Sequence, residues 1–351
     1  MKKHWWKIVG TLFLGVAITA GILVPLSAGL SDVEPQSVTS DSSYTLTFYS
    51  ENAHLLAKEN SVQCFLSADS GKTMLSGENV HVKSNHILTA DFYFGDNLFK
   101  GTDRIKYLDA AINDDQDGTF AEFSAIKVTK DTTKTDTKPH AKDNAVVKNT
   151  DPQYFSFPYR DILLESIRNL YFHVPMWFAM IIVLLVSAIY SIRYLYTFKI
   201  NDDIIATECV KVGLLFGICG MITGSMWAKT TWGAYWNNDP KQSAAAVGLL
   251  MYFGYLVLRN SIADHDKRAR VAAVTNIFFY AIFIPLIFVL PRLTDSLHPG
   301  NGGNPGFNSY DLDNHMRIIF YPAVIGWTLL GVWMVSIRLR IRKLQIKSES
   351  A

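Results

Sequence analysis

The sequence predicts an α-helical polytopic membrane protein with six transmembrane helices and an inserted extracytoplasmic all-β domain. Six stretches come close to the roughly 20 apolar residues that a helix needs to cross a bilayer. A long polar region with alternating apolar residues separates the first stretch from the other five. Of the 351 residues, 49% are hydrophobic and 18% are charged, which lies between soluble and purely membrane proteins.

The six predicted crossings meet the length requirement to different degrees. They are Ile8–Leu30, Val174–Ile192, Ile204–Trp227, Gln242–Leu258, Val271–Pro291 and Ile318–Ile337. The third carries Glu208 and Lys211 near its start, which costs insertion free energy unless these charges pair or reach the interface. The fourth is short. The first also has the lysine-rich start of a cleavable signal peptide, but its apolar run is long for one and no A-x-A site ends it.

The orientation follows from lysine and arginine, because short connections rich in these residues stay in the cytoplasm. Such residues precede the first crossing and follow the second, fourth and sixth. They are Lys2, Lys3, Lys7, Arg193, Lys199, Arg259, Lys267, Arg268, Arg270, Arg338, Arg340, Arg342 and Lys343. The chain is therefore expected in the bacterial cytoplasmic membrane with both termini in the cytoplasm. The connections 229–241 and 292–317 are expected on the outer face.

The polar region predicts a small antiparallel β domain over residues 31–129, most simply a sandwich. Its strand-like runs are Tyr44–Tyr49, Val62–Leu66, Asn79–Val82, Ile87–Phe94 and Phe120–Val128. Residues 130–150 are rich in Lys, Thr and Asp and predict a flexible tether. The predicted organisation is then a first transmembrane helix over residues 1–30, the β domain, the tether, and a five-helix membrane domain over residues 151–351.

Several patterns in this sequence exclude functions. Asn113, Asp115, Asp117 and Gly118 follow the opening of a calcium-binding loop, but Ser124 stands where the bidentate Glu belongs, so a solvated turn is expected. The net charge of +2 gives no indication of nucleic-acid binding. Three cysteines do not form a disulfide framework, and no C-x-x-C-H motif is present, so the chain is not itself a c-type cytochrome.

An aromatic strip occupies the predicted outer connection after the third crossing. Three tryptophans, a tyrosine and a glycine make up the strip, namely Trp227, Trp232, Gly233, Tyr235 and Trp236. One interpretation is an interfacial belt that anchors the helices at headgroup level. The other is a platform for a planar ligand, with Gly233 allowing close approach of the backbone.

Two of the nine histidines are expected at the level of this strip. His173 opens the second crossing and His298 lies just past the fifth, so both are predicted at the outer membrane surface. Neutral imidazoles in such a position are natural axial ligands for haem iron. His315, beside Asp313 and Arg317, is a further candidate. The others fall on the cytoplasmic side or in the polar region: His4, His265, His54, His81, His86 and His140.

Three segments resemble the cytochrome c assembly family, which includes CcmC and CcsA. Trp-Gly-x-Tyr-Trp-x-x-Asp-Pro-Lys at Trp232–Lys241 is similar to the WWD motif of this family. Phe172–Trp177 and Asp295–Pro299 are similar to the two histidine elements of CcmC. The resemblance implies a protein without catalytic residues that presents haem b to a CcmE-like haem chaperone, beside CcmA-like and CcmB-like ABC transporter subunits and a small CcmD-like subunit. His173 and His298 would be the axial ligands.

The resemblance also implies roles for other residues and leaves alternatives open. Trp227, Trp232, Tyr235 and Trp236 would line the haem, and Asp239 would cap the fourth crossing or orient a ligand. Asn238 stands where the family usually has a further tryptophan. Trp177 could supply the aromatic contact to haem that this tryptophan would otherwise make. A CcsA-like synthetase that attaches haem to an apocytochrome is the enzymatic alternative, although no predicted helix core contains a histidine. The third possibility is a permease or structural subunit that binds no haem.

Overall fold

The chain forms two compact units, one helical and one built from β-sheets. The computed structural model describes residues 4–68, 74–99, 102–131, 150–299, 307 and 311–349. The helical unit comprises Met1–Leu23 and Glu165–Ala351, and the sheet unit comprises Val24–Leu164. The sheet unit is thus inserted between the first and second helices. The predicted tether falls mostly on residues 132–149, which lie outside the described residues, as does His140.

The described part of the helical unit contains six helices that are long and apolar enough to cross a membrane, one for each predicted crossing. They are α1 (Trp5–Leu23), α2 (Leu170–Thr197), α3 (Ile200–Trp232), α4 (Pro240–Ser261), α5 (His265–Phe288) and α6 (Asn314–Glu349). The chain is therefore a multi-pass membrane protein. The first helix ends at Leu23 rather than at the predicted Leu30, because Pro25 cannot continue a helix and Gly29 already begins a strand.

A row of glycines on α3 lets α2 pack very closely against it. A Cβ atom added at any of these glycines would lie within 3.0 Å of a side-chain atom of α2. The glycines are Gly213, Gly217, Gly220 and Gly224, and the α2 side chains facing them are Leu184, Met180, Trp177 and His173 respectively. Residues at these spacings share one helix face, and small residues are typical where membrane helices approach each other closely. This packing fixes the position of His173 relative to α3.

The charged residues at the start of α3 are buried and paired. Glu208 accepts hydrogen bonds from Lys211 Nζ at 2.6 Å and from Arg338 Nε of α6 at 2.5 Å. Asp203 accepts two bonds from the Arg259 guanidinium of α4, at 2.7 and 2.5 Å. The insertion cost anticipated for the third crossing is offset by these pairs. They hold α3, α4 and α6 together at the end of the bundle opposite to the C-terminus of α3.

The sheet unit is a sandwich of two sheets around one apolar core. The strands are β1 (Gly29–Glu34), β2 (Ser37–Thr39), β3 (Ser42–Glu51), β4 (Gln63–Ser67), β5 (Met74–Ser76), β6 (Glu78–Ser84), β7 (Ile87–Phe94), β8 (Ile105–Asp114) and β9 (Gly118–Thr129). One sheet has the order β1-β3-β7-β6 and the other β2-β9-β8-β4-β5. The five predicted strand runs correspond to β3, β4, β6, β7 and β9. Pairing is antiparallel except between β2 and β9.

The calcium-like sequence forms the tight turn between β8 and β9. Asp117 is buried, and its carboxylate accepts hydrogen bonds from the His54 N–H and the Tyr154 hydroxyl. Asp114 is also buried and accepts from Ser61 Oγ at 3.0 Å. No group of three or more His, Cys, Asp or Glu residues that could hold a metal ion occurs among the described residues. The expected turn is present, although Asp114 and Asp117 are buried in it rather than solvated. All three cysteines are free thiols.

Candidate functional site

His173 lies in the first turn of α2 and is held by the C-terminal half of α3. Its Nδ1 lies 2.9 Å from the Gly220 carbonyl oxygen and 3.3 Å from Thr223 Oγ1. Because a carbonyl oxygen can only accept, Nδ1 carries the hydrogen and donates it. In the neutral imidazole, Nε2 then carries the lone pair that binds a metal. The backbone of α3 therefore selects the tautomer of His173 that can act as a ligand.

A proline in the same turn shapes the start of α2. Pro175 has no N–H and cannot donate to the carbonyl of Tyr171, one turn earlier. Instead, the Trp327 indole N–H of α6 donates to that carbonyl at 3.2 Å. The His-Val-Pro sequence therefore ties the turn that carries His173 to α6 as well as to α3.

Asp239 positions His298 from the loop that follows α5. Asp239 Oδ1 lies 2.8 Å from His298 Nδ1, while Oδ2 accepts from Ser296 Oγ and from the Leu297 N–H, each at 2.7 Å. The same carboxylate caps α4 by accepting from the Lys241 and Gln242 N–H groups. The helix cap anticipated for Asp239 is thus present, whereas its role toward a ligand stays a prediction.

The ionisation state of Asp239 decides the tautomer of His298. Burial raises the pKa of the Asp239 carboxyl, but the hydrogen bonds from His298, Ser296 and Leu297 outweigh burial and hold this pKa below its usual range. An ionised carboxylate only accepts hydrogen bonds, so His298 Nδ1 donates to it. As in His173, Nε2 of the neutral His298 carries the lone pair. A carboxylate behind an imidazole is the usual support of a metal-ligating histidine.

Each of the two histidines lies beside a tryptophan in the C-terminal part of α3. The ring of Trp227 lies 6.0 Å from that of His173, and the ring of Trp232 lies 4.9 Å from that of His298, both edge to face. The two tryptophans are five residues apart on α3, a rise of roughly 7.5 Å along the helix axis. Trp177 flanks His173 on its other side at 6.3 Å.

Trp227 also brings an unpaired donor to this site. Its indole Nε1 is buried and has no hydrogen-bond partner among the described residues. Buried donors in native structures are almost always paired, so an unpaired one calls for an explanation. A ligand with acceptor oxygens beside His173 would supply the missing partner.

The remaining residues of the aromatic strip lie outside this cluster. Tyr235 and Trp236 are 61% and 42% exposed, and the Trp236 indole donates to Asn238 Oδ1 at 2.9 Å rather than facing a histidine. Gly233 ends α3 with φ +81°, a conformation that favours glycine, and open space surrounds its Cα. Asn238 adopts φ 53°, which asparagine tolerates better than tryptophan does. Asparagine at position 238 is therefore well suited to the backbone of this loop.

Sequence reasoning did not identify the glycines that set the position of His173. A Cβ atom at Gly224 would lie 2.5 Å from His173 Cε1, and one at Gly220 would lie 2.9 Å from Trp177. The feature of the sequence that could have indicated them is the regular spacing of glycines along an otherwise apolar helix. Ser296, which donates to Asp239, was also missed, and no local pattern distinguishes it from an ordinary loop serine. His315 lies in the first turn of α6.

The fold and the site define a multi-pass helical membrane protein with two oriented histidines and aromatic rings at one end of the bundle. The family model of CcmC, described as heme exporter protein C, matches residues 155–351, more than half of the chain. The chain belongs to this family. The matched range begins after β9 and includes every site residue named above.

Curated relatives agree with the family model. The chain is 28% identical to the heme exporter protein C of Bradyrhizobium diazoefficiens over 193 residues, which cover 53% of this chain and 72% of the relative. It is 25% identical to the heme exporter protein C of Escherichia coli K12 over 178 residues, 50% of this chain and 70% of the relative. A shorter similarity, 34% over 80 residues, relates it to the cytochrome c biogenesis protein CcsA of a Synechococcus strain, covering 23% of this chain and 26% of that protein.

Proposed function

We propose that the protein binds haem b between His173 and His298 on the outer face of the cytoplasmic membrane and presents it to a haem chaperone during cytochrome c maturation. The observation that carries this proposal is that both imidazoles are held in the same tautomer. In each, Nδ1 donates to a fixed oxygen of the protein, which leaves Nε2 for the metal. Two such imidazoles can ligate iron on the two faces of one porphyrin.

The surroundings of the histidines fit haem better than a bare metal ion. Haem supplies four nitrogen ligands of its own, so two histidines are sufficient. The rings of Trp177, Trp227 and Trp232 offer apolar contact to the porphyrin. Bound haem would supply propionate oxygens, which are suitable acceptors for the unpaired Trp227 indole N–H. In this account the histidines hold the iron, Asp239 and the Gly220 carbonyl orient them, and the tryptophans exclude water.

The proposed orientation places both termini in the cytoplasm and the sheet unit and the histidine site outside. The basic connections support this orientation. The Arg168 guanidinium donates to the Gly21 carbonyl at 3.2 Å, so the end of α1 and the approach to α2 lie together at the bundle end that holds His173. A reporter that is active only in the cytoplasm should be inactive when fused after Asp151, and activity there would contradict the orientation.

The proposed partners are a CcmE-like haem chaperone, CcmA-like and CcmB-like transporter subunits and a small CcmD-like subunit. A CcsA-like synthetase remains the enzymatic alternative. Every histidine in the six helices, namely His173, His265 and His315, lies in the first turn of its helix. This distribution favours a site at one membrane surface over passage of haem through the bundle.

Transfer of haem tests the proposed function directly. The purified haem-loaded protein is mixed with a haem-free CcmE-like chaperone, and haem on the chaperone is followed over time. Transfer from the wild type and from His265→Ala is expected to be equal, whereas His298→Ala should transfer little. Transfer that is unchanged in His298→Ala would contradict the proposal. Haem that becomes covalently bound to an added apocytochrome without any chaperone would favour the synthetase.

A further inference from the structure

The sheet unit contains a third oriented histidine, which the site at the bundle end does not use. His54 precedes the short helical segment after β3, and its Nδ1 lies 2.9 Å from Asp117 Oδ1. The other oxygen of Asp117 accepts the backbone N–H of His54 at 2.5 Å. The Asp117 side chain is fully buried, whereas the His54 side chain is 50% exposed.

This pair has the same construction as the pair of His298 and Asp239. In both, a buried carboxylate accepts the imidazole Nδ1–H with one oxygen and a backbone N–H of the histidine segment with the other. In both, an aromatic ring stands edge to face with the imidazole, Trp232 at 4.9 Å in one and Tyr154 at 6.2 Å in the other. Such a carboxylate fixes the ring and raises the basicity of Nε2 as a ligand. His54 is therefore held in the tautomer that binds metal, and its exposed ring is accessible to one.

The surroundings of His54 restrict which metal it can bind. A protein site for a free ion needs three or four ligands, and the described residues contain no group of three or more ligating side chains of the His, Cys, Asp and Glu types. Haem iron needs only an axial ligand, because the porphyrin supplies four nitrogens. The Tyr154 ring stands beside the His54 imidazole, and Leu56 of the adjoining segment is exposed and apolar. Lys58 of the same segment, whose Nζ lies 3.9 Å from Asp115 Oδ2 at the surface, is a cation for a propionate.

We propose that His54, oriented by Asp117, is the axial ligand of a second haem-binding site on the sheet unit. This inference rests on the proposed function, because the ligand is the haem that the protein handles. A single imidazole leaves one axial position of the iron to solvent or to a partner's ligand. The site would therefore bind haem weakly and release it readily, as expected of a site that passes haem to a partner.

The test uses the full-length protein in detergent, titrated with haemin and followed by absorption, with haem per chain measured after removal of unbound haemin. The main site is removed with the double variant His173→Ala/His298→Ala. In this background we expect about one weakly held high-spin haem per chain, because a single imidazole gives five-coordinate iron. Adding His54→Gln should remove it, since the glutamine amide still donates to Asp117 but does not ligate iron. His81→Gln, an exposed histidine on β6, is the matched control and should change nothing.

The outcomes separate this inference from the proposed function. If the double variant binds no haem while the wild type binds it in low-spin form, the second site is refuted and the main site stands. If His54→Gln alone removes all haem from the wild type, the main site fails and His54 is the ligand. If His54→Gln and His81→Gln reduce high-spin haem equally, binding to surface histidines is unspecific and the inference is overturned.

Discussion

Replacing Gly224 by alanine should displace His173 without changing any group that touches the ligand. The added Cβ would lie 2.5 Å from His173 Cε1 and 3.0 Å from Nδ1. Ordinary carbon–carbon contact needs roughly 3.5 Å, so the ring must move away from α3 by about 1 Å. Its Nδ1 is now 2.9 Å from the Gly220 carbonyl, and the same displacement takes it beyond hydrogen-bond distance.

The expected loss of affinity follows from these two effects. The lost hydrogen bond contributes about 1 kcal/mol, and overpacking of this kind costs about 1–3 kcal/mol. Together these effects amount to about 2–4 kcal/mol. Since about 1.4 kcal/mol corresponds to a tenfold change, haem should bind roughly 30- to 700-fold more weakly to Gly224→Ala. The dissociation constant is measured by titrating the purified protein with haemin and following the Soret absorption.

A matched control comes from the same glycine row. A Cβ atom at Gly213 meets Leu184 at 2.9 Å, so Gly213→Ala strains the same helix pair at a distance from His173. Its haem affinity should change far less than that of Gly224→Ala. Wild-type affinity and an unchanged spectrum in Gly224→Ala would refute the reasoning. Equal weakening in both variants would show that the bundle, and not the position of His173, determines binding.

Three further substitutions test other parts of the account. Asp239→Asn keeps a good helix cap for α4, so the protein should still accumulate in the membrane. The asparagine presents an amide to Ser296 and Leu297, and haem affinity should therefore fall about ten- to a hundredfold. Unchanged affinity in titrations would contradict the orienting role. Trp232→Ala should lower the amount of haem per chain more than Trp236→Ala does, because the Trp232 ring contacts His298 and Trp236 is exposed. The reverse order would indicate that Trp236, and not Trp232, packs against the haem. Arg259→Ala leaves the buried Asp203 unpaired and should lower the free energy of unfolding by about 3–5 kcal/mol. The expected result is a lower Tm with an unchanged haem spectrum. An altered spectrum would show that the two ends of the bundle are coupled.

The parts of the fold that were predictable from sequence are those with strong local patterns. The apolar runs located all six helices, because apolarity over the thickness of a bilayer leaves little alternative to a helix. The histidines and the WWD-like strip were identified by residue type and spacing. The alternating runs of the sheet unit located β3 and β7 well, since one face of each strand is buried in the core.

The rest depended on tertiary contacts that no local pattern encodes. The first two residues of β1, Gly29 and Leu30, were assigned to the end of the first crossing, because Leu30 is apolar for the sandwich core and not for lipid. The glycine row and Ser296 act only through residues distant in sequence. The expectation that Asn238 weakens one wall of the site stays a prediction; the sequence did not indicate that this residue has a left-handed backbone conformation. A tryptophan there would cost roughly 1–2 kcal/mol, so Asn238→Trp is expected to strain the loop before Asp239.

The absorption and electron paramagnetic resonance spectra of the purified protein test the central claim most directly. With His173 and His298 on the two faces of one porphyrin, the haem should be low-spin with two nitrogen axial ligands. His173→Ala and His298→Ala should each lower haem per chain or shift the iron to high spin, whereas His265→Ala, at the first residue of α5, should have no effect. Equal spectra and equal haem content in all three variants would contradict the assignment of the two histidines.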